Sequence, residues 1–206
     1  LQTLTIRAGI KINGISASRI AYPFYEPVTV DVDLMAGEIF HYEPVSKYKK
    51  ECVFRVVEDF DDPGVRFIYP ENSVTIFETQ QDDVKEGRAS GIVTLTKEFD
   101  AFEAYFDEDF DLPENATPVF LEFDYKCTNG FQVGMYLLED GVIEWSGLVY
   151  VRPSDIWKRM YVDLGTTATY QNTTDLYRIA FGAVHDQIDD DTEGIILLDN
   201  IKVIHY

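Results

Sequence analysis

Asp199 and Asn200 interrupt the apolar run of the last ten residues, Leu197 to Tyr206. The flanking residues alternate apolar and polar, which predicts a closing β-strand. A carboxylate set into a buried strand needs a hydrogen-bonding partner or a metal. The second group with chemical potential is aromatic. Tyr136, Trp145 and Tyr150 lie on or beside successive strand candidates, and Trp145 stands between Glu144 and Ser146-Gly147. Large rings give wide contact area at small entropic cost, and Trp and Tyr add a polar handle. The alternative for Trp145 is a core ring. Tyr177, Arg178 and His185 are weaker candidates on a neighbouring strand and loop. The acidic runs around Asp107–Asp111 and Asp186–Glu193 lack the spacing of an EF-hand loop and read as solvated loops.

Other chemistries find little support. No Gly-x-Ser-x-Gly elbow occurs, and Gly147 is followed by Leu148, not a nucleophile. The Gly9 and Gly14 pair lacks the Lys-Ser/Thr of a phosphate loop. A carboxylate pair for glycoside hydrolysis can be picked by chance from 37 acidic residues, so it carries no weight. The expectation is a protein that is not an enzyme. Cys52 and Cys127 form no CxxC, and His41, His185 and His205 are scattered, which argues against zinc. A disulfide between the two cysteines and two buried free thiols both stay open. The net charge is −20, from 17 basic and 37 acidic residues. That surface repels phosphate backbones and anionic bilayers, so neither nucleic acid nor a membrane surface is an expected partner. Some of the carboxylates could instead hold Ca²⁺, which takes hard oxygen ligands.

The elements that position these groups read as nearly all β. Val28, Val30, Val32 and Leu34 alternate with polar residues, as do Val119 to Cys127 and Met160 to Leu164. Further strands are expected at 52–58, 73–78, 90–96, 101–106, 131–138, 143–151, 176–184 and 195–205. Asn129-Gly130 and Asp140-Gly141 predict hairpin turns, because both positions tolerate positive φ. They would make 119–151 one antiparallel run. Tyr136 and Trp145 would then face each other across the Asp140-Gly141 turn. Short helical turns are expected at 45–51 and 153–157. Many short strands at even spacing point to a sandwich or jelly roll. The polar break Lys47 to Glu51 suggests a boundary, with a small β region (Ig-like or partial) over 1–50 and the larger domain over 51–206.

Four segments, in order, carry a family resemblance: Val57-Glu58-Asp59-Phe60, Val84 to Ser90, Ile156 to Gly165 with its Trp-strand-Leu-Gly pattern, and Leu198-Asp199-Asn200-Ile201. Together they resemble galactose-binding-like β-jelly-roll domains, the fold of many carbohydrate-binding modules. Gly9 to Ile15 and Tyr22 to Tyr25 resemble segments of bacterial surface lipoproteins that carry such a domain. The resemblance implies non-catalytic glycan binding, with Trp145, Tyr136 and Tyr150 as the stacking residues and Trp157 as a packing residue under the sheet. It also implies a structural Ca²⁺ held by Glu58 or Asp59, carbonyls around Lys85 to Gly87, and Asp199. The alternative for Asp199 is a loop cap. The implied setting is secreted or at the cell surface, as an outer-membrane lipoprotein with its anchor ahead of Leu1. A structural spacer with protein partners at the surface is the rival to glycan binding.

Overall fold

Period-two alternation of apolar and polar residues governs this chain, and the computed structural model resolves it into strands. The structure describes residues 2–6, 11–12, 15–16, 28–32, 53–62, 64–71, 73–106, 119–139, 142–165, 176–186 and 192–205. In the first fifty residues these are four short strands: β1 (Gln2–Ile6), β2 (Lys11–Ile12), β3 (Ile15–Ser16) and β4 (Val28–Val32). β1 and β4 pair with each other, while β2 pairs β3 and runs parallel to a strand of the main sheet at Tyr161. The rest of the chain gives β5 (Val53–Glu58), β6 (Phe67–Ile68), β7 (Glu78–Gln80), β8 (Ser90–Leu95) and β9 (Ala101–Phe106). These are followed by β10 (Val119–Cys127), β11 (Phe131–Glu139), β12 (Val142–Val151), β13 (Ser154–Asp163), β14 (Leu176–Val184) and β15 (Gly194–His205).

Two sheets form a sandwich. The larger has the order β3-β2-β13-β10-β15-β8-β7, with β5 also pairing β15; the smaller has the order β12-β11-β14-β9-β6. The core lies between them. Val119, Leu121, Phe123 and Tyr125 of β10 face Val133, Met135 and Phe181 of the smaller sheet across it. Its rings pack edge to face, as in Phe123–Phe181 at 5.7 Å and 89°, the arrangement that aromatic quadrupoles favour. Cys127 is a free thiol in this core, and burial pushes its pKa up to about 11. Such a thiol stays protonated and unreactive at neutral pH. Cys52 lies outside the described residues.

The structure corrects several expectations. Asn129-Gly130 is not a hairpin turn. β10 and β11 belong to different sheets, and these residues carry the chain from one to the other. The reason is tertiary bonding. The fully buried Asn129 donates from Nδ2 to the carbonyls of Gly130 (2.7 Å) and Val184 (3.0 Å), and its Oδ1 accepts from Asp186 N–H (2.9 Å). The run 119–151 is therefore split between sheets. The 139–142 connection does join antiparallel neighbours, since Glu139 pairs Val142; Asp140-Gly141 itself lies outside the described residues, as does 45–51. Residues 154–157 are strand, not a helical turn. Of 73–78 only Glu78 is in a strand, while Ser73 Oγ bonds the Thr75 carbonyl and Thr75 bridges Phe102. Trp157 is not core either. Met160 and Val162 point inward, so Trp157 falls on the outer face, half-buried, with its indole N–H donating to Asp83 Oδ1 at 2.7 Å.

Candidate functional site

On the larger sheet's outer face, β10, β13 and β15 align charged residues in one row. Asp124 pairs Arg159 on one side and Asp199 on the other. Arg159 grips Asp124 with two hydrogen bonds, Nε to Oδ1 at 3.0 Å and Nη2 to Oδ2 at 2.6 Å, and its Nη1 lies 3.6 Å from Glu122 Oε1. Asp124 and Glu122 are fully buried. The 81–89 loop closes over this row. Asp199 Oδ2 accepts the N–H groups of Lys85 (3.1 Å) and Glu86 (3.0 Å), and Oδ1 accepts that of Asn200 (2.8 Å). Asn200 takes a left-handed φ of 50°, and a bulge falls there in β15 against β10. Asn tolerates that conformation because its short polar side chain bonds locally; here its Nδ2 donates to Glu86 Oε2. Asp83 anchors the loop's other end on Lys126 and Trp157. The Lys126 bond, with help from Trp157, holds its carboxyl below the ordinary range.

These contacts bear on the expected calcium ligands. Both Glu58 oxygens accept backbone N–H groups, from Phe60 and Arg66 at 2.8 Å each. Asp59 Oδ1 accepts Asp61 N–H. Gly87, with φ 76°, turns the loop so that the Asp61 carboxylate accepts the N–H groups of Arg88 and Ala89. Glu58, Asp59 and Asp199 thus each accept backbone N–H groups. Among the described residues no three acidic, His or Cys side chains converge as a metal site. The arrangement fits Asp199 as a loop cap.

Burial, opposed by the three N–H bonds, raises the Asp199 pKa from 3.8 to about 6, and the neighbouring Asp124 charge adds to the rise. Between those values the folded form keeps a proton that the unfolded form has lost. Folding stability from this group therefore falls as pH rises from about 4 to 6. We expect an Asp199→Asn variant to flatten that part of the stability curve by about 1–3 kcal/mol. Melting the two proteins across that range, with and without chelator, checks it. Parallel curves for wild type and variant would refute the pH effect, and a melting temperature lowered by chelation would show that a cation is held here as well.

The smaller sheet carries the aromatic site on its outer face. Phe131, Val133 and Met135 of β11 face the core, so Gln132, Gly134 and Tyr136 face out. Tyr136 pairs Trp145 of β12 on one side and Arg178 of β14 on the other. Its ring meets Trp145 at 5.4 Å and 70°, and Tyr105 of β9 at 5.1 Å and 77°. The Arg178 guanidinium sits 5.6 Å over the Tyr105 ring. Tyr150 joins the same face because of a bulge. Val133 pairs Val149 but Gly134 pairs Gly147, which leaves Leu148 as an extra residue on β12. That residue reverses the parity, so even-numbered Tyr150 and odd-numbered Trp145 point the same way.

The floor under the rings is made of glycine. A Cβ on Gly134 would lie 2.6 Å from the Ser146 carbonyl oxygen and 2.6 Å from the Trp145 ring. Only glycine lets the indole settle against the sheet there. A groove of about 560 Å³ results, lined by Tyr136, Trp145, Tyr150, Gln132, Glu103 and Asp186 among others. Trp145 and Tyr136 are half-buried and Tyr150 is 58% exposed, so the rings are open to a ligand. The three expected stacking residues come together here. Arg178 lies beside them, but Tyr177 points into the core and His185 turns its ring to the Thr192 carbonyl. Tyr105, Gln132 and Glu103 were not among the candidates.

No protein-family model matches the chain, and no characterised protein matches it by sequence. Solved structures do match in shape. One is the family 30 carbohydrate-binding module of a Clostridium thermocellum cellulosomal cellulase, with 13% identity over 73% of this chain and 96% of that one, at TM-score 0.54. Another is the CBM22-1 xylan-binding domain of Paenibacillus barcinonensis Xyn10C, with 9% identity over 74% and 92%, at TM-score 0.52. A third is a Clostridium thermocellum family 11 module in complex with a β-1,3-1,4-mixed-linked tetrasaccharide, with 12% identity over 73% and 94%, at TM-score 0.50. At these identities the likeness establishes the fold: an all-β jelly roll of the carbohydrate-binding-module type.

Proposed function

We propose that the chain is a non-catalytic glycan-binding module whose ligand lies in the groove of the five-stranded sheet. The observation that carries this reading is the Trp145–Tyr136–Tyr105 row, in which Tyr136 meets a ring on either side, with polar side chains beside them. A sugar ring has apolar C–H faces and a rim of hydroxyls. Open aromatic faces suit the first and groups such as Gln132 and Glu103 the second. The groove's volume falls in the range of small-ligand sites. Two of the modules it resembles in fold are a xylan-binding domain and a module in complex with a β-1,3-1,4-mixed-linked tetrasaccharide, which supports the same ligand class here.

The test is a glycan array on the whole chain, followed by calorimetry of each hit with wild type and Trp145→Ala. At least one hit sensitive to Trp145 is expected. Hits that ignore Trp145 would move the site elsewhere, and an array without hits would remove the reading. No release of reducing sugar from polysaccharides is expected. Sustained release abolished by Glu103→Gln would make the protein a hydrolase. Secretion or surface display goes with this reading, and cell fractionation with protease accessibility tests it.

A second reading, a spacer with protein partners, draws on a separate observation. Val74, Ile76 and Phe99 are about half exposed and share a shallow depression with Ile92. Clustered exposed apolar side chains are a feature of protein-contact faces.

A further inference from the structure

The groove is acidic as well as aromatic. Among the described residues its lining contains two charged ones, Glu103 and Asp186, and no Lys or Arg. Glu103 stands on β9 beside Gly182, the glycine that separates it from Gln132. Its backbone is fixed, since its N–H donates to Ser73 Oγ at 3.1 Å and that hydroxyl donates to the Thr75 carbonyl at 2.7 Å. Its carboxylate has no hydrogen-bond or ion-pair partner among the described residues and shares the outer face with Tyr105. Asp186 is held at the far end, where its Oδ2 accepts the Gly130 N–H at 3.2 Å. The guanidinium of this face, Arg178, lies over the Tyr105 ring. Beyond the groove the whole chain carries a net charge of −20.

From this arrangement we propose that Glu103 sets the specificity of the groove: it binds hydroxyls of uncharged glycans and excludes glycans built from uronic acids. The inference rests on the glycan-binding reading and adds the substrate class. A free carboxylate accepts two sugar hydroxyls in charge-assisted hydrogen bonds, which are stronger than neutral ones. The same carboxylate opposes a uronate, and the acidic surface around it repels a polyuronate before contact. An anionic ligand would need a cation in the lining, and among the described lining residues there is none, Arg178 lying over the Tyr105 ring instead.

The experiment is calorimetry with cellohexaose, xylohexaose, mannohexaose and hexagalacturonate, at low and high salt, on wild type, Glu103→Gln and Trp145→Ala. Wild type should bind at least one neutral hexasaccharide and bind hexagalacturonate at least about tenfold more weakly. Glu103→Gln should weaken the neutral hit by about tenfold and narrow the gap to hexagalacturonate, with an unchanged melting temperature. Added salt should narrow the gap in wild type and do less in the variant. Wild-type binding of hexagalacturonate as tight as that of the neutral hit would overturn the proposal. So would a gap that Glu103→Gln leaves intact while Trp145→Ala still abolishes binding, and in that case the glycan-binding reading survives alone. Failure of every hexasaccharide to bind would overturn both.

Discussion

Arg159→Met is expected to lower the unfolding free energy by about 3 kcal/mol. The substitution keeps most of the stem but removes the guanidinium that bonds Asp124 twice and faces Glu122. Both carboxylates are fully buried, and Asp124 would lose the two charge-assisted bonds that hold it. Breaking one partner out of a buried pair costs about 3–5 kcal/mol, because the remaining charge has no water. The low end applies here, since the Arg159 side chain is itself 31% exposed and water can enter where it stood. Adding Asp124→Asn to the variant should recover part of the loss by removing one of the stranded charges. Urea unfolding of the single and double variants measures this. A loss under about 1 kcal/mol, the scale of a surface pair, would show that the network contributes little to stability.

Trp145→Ala is expected to weaken binding of a glycan hit by at least about thirtyfold while the melting temperature moves by only a few degrees. The indole sits on an end strand of the smaller sheet, outside the core and half-buried, so its loss empties part of a groove and opens no internal cavity. Tyr136 would lose its edge-to-face partner, but Tyr105 still holds it from the other side. Trp157→Ala is the control. A core tryptophan would cost about 3–5 kcal/mol, but Trp157 is half-buried and loses one hydrogen bond to Asp83, so about 1–2 kcal/mol is expected. Equal loss of glycan binding from the two variants would refute this division between a binding ring and a supporting one.

Local signals were legible in the chain, and non-local ones were not. The alternation in 119–127 and 195–205 locates β10 and β15 because one face of each is buried. The pairing of Tyr136 with Trp145 follows from a two-residue connection, which fixes register locally. Tyr150 is recognisable as an aromatic beside the hairpin but its direction is not, since nothing in Gly147-Leu148-Val149 announces the bulge that turns it outward. Tyr105 and Glu103 were hidden for a different reason. Their strand is recognisable, but its neighbour β14 lies some seventy residues further along, and no local pattern names that partner. Asn129-Gly130 misled because the dipeptide has a strong hairpin preference, which the buried bonds of Asn129 to Val184 and Asp186 override. Asp199 was recognised as a buried carboxylate in need of a partner. Which partner it takes depends on the 81–89 loop, over a hundred residues away.

The position of β15 has a consequence for how the molecule is made. Its first half pairs β8, its second half pairs β5, and its whole length pairs β10. It is also the last of these strands in the sequence. During synthesis β5, β8 and β10 therefore leave the ribosome with their shared neighbour still missing, and the larger sheet assembles only when 194–205 emerge. Pairings this distant must first close long loops, which places such folds among the slower ones. Until that moment three strands keep unpaired backbone edges, the state in which a nascent β-protein is most exposed to wrong partners.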